Sequence, residues 1–128
     1  MALIDIVVEG ISAQDLRKLL RAELKREKNI RLEVIQRVER GGTFPTEILV
    51  VTIPNFVPVF VVLLELIIKS VLKKKWKENM STLELVLEFT DGTKIKVPVS
   101  ANLLSKGIRV QNNEDVARLK KLVIQKKK

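Results

Sequence analysis

The chain has 128 residues, a formal net charge of +9, and no histidine, cysteine or tyrosine. Those absences exclude disulfides, thiolate metal sites, imidazole bases and phenolic acids, so only carboxylates, hydroxyls and lysines are left for chemistry. The length fits one domain that buries a core without staples.

The basic balance favours acidic partners: nucleic acid, anionic lipid or an acidic protein face. The wealth of Lys, Glu, Val, Ile and Leu is thermophile-like. Met1-Ala2 runs straight into LIDIVVEG, without the basic and apolar regions of a secretory leader. A cytoplasmic location is expected, with membrane association as the alternative.

Leu3 to Glu9 alternates as a strand and Gly10 ends it. Ser12 is a candidate helix N-cap with Asp15 three residues on, and Ile11 and Leu16 can staple the entry. Leu16, Leu19, Leu20 and Leu24 form one apolar stripe, and Asn29 is a reasonable stop. Ile30 to Arg40 reads as a second strand, followed by a Gly41-Gly42 loop that matches no phosphate-binding pattern. Glu47 to Ile53 is an apolar, β-branched run, which predicts a strand buried on both faces.

The longest apolar stretch is PNFVPVFVVLLELIIKSVLKKKWK, residues 54–77. Asn55 is the candidate N-cap and Pro58 falls in the first turn. Glu65, Lys69 and Lys73 make one polar stripe; the rest of the circumference is apolar, as in a helix buried on several sides. Trp76 beside the lysines suits a domain edge or a membrane interface. Ser81 to Val99 predicts a β-hairpin turning at Asp91-Gly92, with Glu84 and Glu88 facing Lys94 and Lys96 and with Pro98 marking an edge. Ile108 and Val110 suit a short extra strand. Asn112 or Asn113 caps a last helix carrying Val116, Leu119, Leu122 and Val123, and residues 126–128 are expected to form a disordered basic tail.

These elements predict one two-layer α/β (α+β) domain over residues 1–125, in the order β-α-β-β-α-β-β-α, with a mainly antiparallel sheet around a long apolar helix. The pattern resembles the effector-associated constant component family, small α/β proteins encoded beside prokaryotic conflict and signalling systems. The resemblance rests on SAQDLRKLLRAEL, the Gly41-Gly42 loop, the long helix ending in LKKKWK, and the hairpin LELVLEFTDGTKIKVPV, over roughly residues 3 to 123. It implies an accessory or adaptor role next to an effector and carries over no catalytic residues.

No catalytic constellation stands out. Glu114-Asp115 suits a helix start, and Glu65 suits an intrahelical pair with Lys69. Membrane insertion of the long helix is close to balanced. Thirteen Val, Leu, Ile and Phe between Phe56 and Leu72 favour it by roughly 6 kcal/mol, and Glu65 with Lys69 oppose it by about 5–7 kcal/mol. A span would also part strands that need one another as neighbours.

The expected function is therefore non-enzymatic: an adaptor, without cofactor or metal, that binds a protein partner (an effector or itself) as a homo-oligomer. The candidate interface is the long helix, through Phe56, Val59, Phe60, Leu63, Leu64, Ile67, Ile68 and Val71. A candidate basic patch comprises Lys73, Lys74, Lys75, Lys77, Lys120 and Lys121. Anchoring to a membrane through the helix and non-specific nucleic-acid binding are the alternatives.

Overall fold

The computed structural model describes residues 1–25, 27, 29–38, 45–74, 83–99, 110, 112–127, with side chains for all of these except 71–74. The elements run β1 (Ala2–Val8), α1 (Ala13–Glu23), β2 (Arg31–Arg37), β3 (Thr46–Ile53), α2 (Val57–Lys74), β4 (Leu83–Phe89), β5 (Lys94–Pro98), α3 (Asn113–Arg118) and β6 (Leu119–Lys126). The strands form one mixed sheet in the order β2-β3-β1-β6-β4-β5. Every neighbouring pair is antiparallel except β1 with β6, the two central strands.

The core lies on one face of this sheet. Ile4 and Ile6 of β1, Leu49 and Val51 of β3, Leu85 and Leu87 of β4, and Leu122 and Ile124 of β6 all point there. Strand residues two apart share a face, so each of these strands delivers one parity to the core. Helix α1 adds Leu16 and Leu20, α2 adds Phe60, Leu63, Leu64 and Ile67, and α3 adds Val116. The fully buried α2 side chains alone contribute on the order of 8 kcal/mol of hydrophobic stabilisation before entropic costs.

Helix α1 begins as its sequence dictates: Ser12 Oγ accepts from the Asp15 N–H at 3.2 Å. It ends at Leu24, whose N–H donates to the Leu20 carbonyl at 2.8 Å, well before Asn29. The hairpin turns as expected at Asp91-Gly92. Gly92 has φ 91°, its N–H donates to the Phe89 carbonyl at 3.0 Å, and Phe89 N–H donates to Thr93 at 2.9 Å. This is a tight turn closed by a residue in the left-handed region, where glycine is at no disadvantage. Strand β5 is an edge, consistent with Pro98 at its end.

Two expectations are corrected. The last helix has only six residues, and the chain from Leu119 onward is a strand between β1 and β4. Lys126 belongs to that strand, and its N–H donates to Glu9 Oε2 at 3.1 Å, so the domain does not stop at residue 125. The long helix is also shorter than expected: it has 18 residues, starting at Val57 rather than Pro54. Asn55 does not cap it. Asn113 of α3 reaches across, and its Oδ1 accepts from the Val57 N–H at 3.1 Å. The adjacent Asn112 caps α3 itself, in a reciprocal box with Asp115. Two consecutive asparagines thus start two helices, and they tie α2 to the segment that leads into the central strand. Among the described residues no helix is long and apolar enough to cross a membrane. The Gly41-Gly42 loop, Trp76 and Ile108 lie outside the described residues.

Replacing Asn113 by alanine should cost about 1 kcal/mol, the usual value of a lost helix cap. Urea unfolding of Asn113→Ala against Asn113→Asp, which keeps an acceptor, measures this. Equal losses in the two variants would remove the capping role.

Candidate interaction surface

The α2 residues expected to form an interface divide sharply. Phe60, Leu63, Leu64 and Ile67 are at most 1 % exposed and belong to the core. Val59 and Ile68 are half-buried and pack against it; only Phe56, at 49 % exposure, is open to solvent. Val71 lies in the helix beyond the described side chains. The physical reason is the additional strand. A six-stranded sheet, with α1 beside α2, covers more of the helix than a smaller frame would. The outward side of α2 carries Glu65 and Lys69, both exposed, with half-buried Val61 and Val62.

The residues of the candidate basic patch fall on different elements where they are described. Lys120 and Lys121 lie on the central strand, not on a terminal helix. Lys73 and Lys74 are helical without described side chains, and Lys75 and Lys77 lie outside the described residues.

Among the described residues no helix contributes core side chains to the second face of the sheet, yet Ile48, Val50 and Val86 on that face are buried, at 7–9 % exposure. All three helices contribute to the core on the first face. The strand pairing places two rows of side chains across the second one. One row is Glu33, Val50, Asp5, Lys121, Glu88 and Lys94, each paired with the next across its strand boundary. The other row is apolar at its centre: Ile35 pairs with Ile48, and Val7 pairs with Val123, which pairs with Val86. Continuing the β1–β3 register brings Ile48 beside Val7, and Lys96 closes the row at the far edge.

A bulge in β6 builds the charged centre. Glu88 pairs with Lys121, but Phe89 pairs with Leu119, so Lys120 is an extra residue. Leu119 and Leu122 are both buried in the core, which puts the two lysines between them on the second face. Lys120 is exposed and borders a cleft of about 280 Å³ with Leu3, Asp5, Glu33, Ile35, Arg37 and Val50. Within that cleft Arg37 Nη1 donates to Asp5 Oδ2. The Asp5 side chain is only 12 % exposed, so the Arg37 guanidinium keeps a part-buried carboxylate from lying uncompensated. Further along, Gln125 Nε2 donates to Glu84 Oε1 at 2.6 Å. The arrangement is a mosaic of opposite charges around an apolar band.

A second cavity, of about 200 Å³, lies where the β4–β5 turn meets α3, lined by Phe89, Asp91, Thr93, Ile95, Asp115 and Arg118. Its polar groups serve local structure. Arg118 Nη2 donates to Asp115 Oδ1 at 2.9 Å, and the Thr93 N–H donates to Asp91 Oδ1 at 2.9 Å. That backbone hydrogen bond, with the Thr93 hydroxyl and the Arg118 charge, holds the Asp91 carboxyl below the ordinary carboxylate range. Among the described residues no cluster of carboxylates is set to hold a metal ion. Compared with protein-family models, curated proteins and solved structures, the chain has no match.

Because the folded carboxyl of Asp91 is the stronger acid, its ionised form favours the fold. That contribution is complete above the unfolded value of 3.8 and is lost as pH falls through the lower folded value. Acid titration of stability should therefore be steeper below about pH 4 in the parent than in Asp91→Asn. Parallel curves would contradict the assignment.

Proposed function

We propose that this chain is a non-enzymatic adaptor that works through protein–protein contact and self-association, with the second face of the sheet as its binding surface. The observation that supports the reading is the row Ile48, Val7, Val123 and Val86 across four adjacent strands, with Val7 and Val123 half-buried and Ile48 and Val86 buried, on a face that among the described residues receives none of the core side chains of the three helices. An apolar band rimmed by charge is the usual composition of a specific contact: an apolar centre with a polar rim. The accessory role implied by the family resemblance fits such a surface. Helix α2 takes a different part in this reading. Its apolar side holds the sheet in shape, and the sheet does the binding.

Light scattering coupled to size exclusion, on untagged protein without detergent or nucleic acid, should give twice the chain mass at micromolar concentration. Val123→Lys, a substitution at a half-buried position of the second face, should shift the species to the chain mass while the circular dichroism spectrum stays unchanged. A monomer at every concentration would remove self-association. A dimer indifferent to Val123→Lys would remove the second face.

A further inference from the structure

We draw no further inference here: the strongest candidate, the cleft of about 280 Å³ on the second face of the sheet, lined by Leu3, Asp5, Ile35, Arg37 and Lys120, carries none because Arg37 already donates to Asp5 within the chain and nothing in the structure shows what covers that face.

Discussion

The structure depends on β6 lying between β1 and β4. The strand closes the sheet by pairing parallel to β1 and antiparallel to β4. Without it the chain would hold two separate units, a three-stranded β2-β3-β1 sheet and a β4-β5 hairpin, and an isolated hairpin is marginal in water. The last strand in sequence is thus central in space. Its parallel partner is the first strand, so folding must bring the two ends of the chain together. The cost is a loop closure over nearly the whole chain, but closure entropy grows only slowly with length. The benefit is a central strand with Leu122 and Ile124 in the core, both at most 2 % exposed.

The same strand organises the surface. Its bulge turns Lys120 and Lys121 to one side together, beside Asp5 of the neighbouring strand. Its Val123 occupies the middle of the apolar row. Position and charge therefore come from one irregularity in one strand, which is a common use of bulges. The segment just before it fixes the helical layer too, through the Asn113 cap on α2 and the Thr90 N–H donated to the Arg118 carbonyl at 2.8 Å.

Much of the frame was legible locally. Ser12 announced α1, the alternation of Leu83 to Phe89 announced β4, and Asp91-Gly92 announced the hairpin turn, because each signal lies within a few residues of its effect. The end of the chain was misread for a physical reason. A regular strand puts residues two apart on one face, but the bulge leaves Leu119 and Leu122, three apart, both in the core. Three is a helical spacing, and with Val116 upstream it imitates a helix stripe. The α2 cap was hidden in another way: its donor and acceptor are 56 residues apart. The second face was invisible for a third reason. Neither row exists in the sequence; each appears only once six strands take their order. The apolar circumference of α2 looks excessive in the sequence because the segment from Leu119, which joins the sheet as a strand, carries a helical spacing.

Residue-level hydrogen exchange followed by NMR tests the central position of β6 most directly. In a six-stranded sheet with β6 inside, the amides of Lys121 to Gln125 that pair with β1 and β4 should be among the slowest to exchange. They should match Ile4 and Leu85 and open only with global unfolding. Fast exchange across Lys121 to Gln125, with β1 and β4 still protected, would show a frayed terminal segment and contradict both the sheet and the surface built on it.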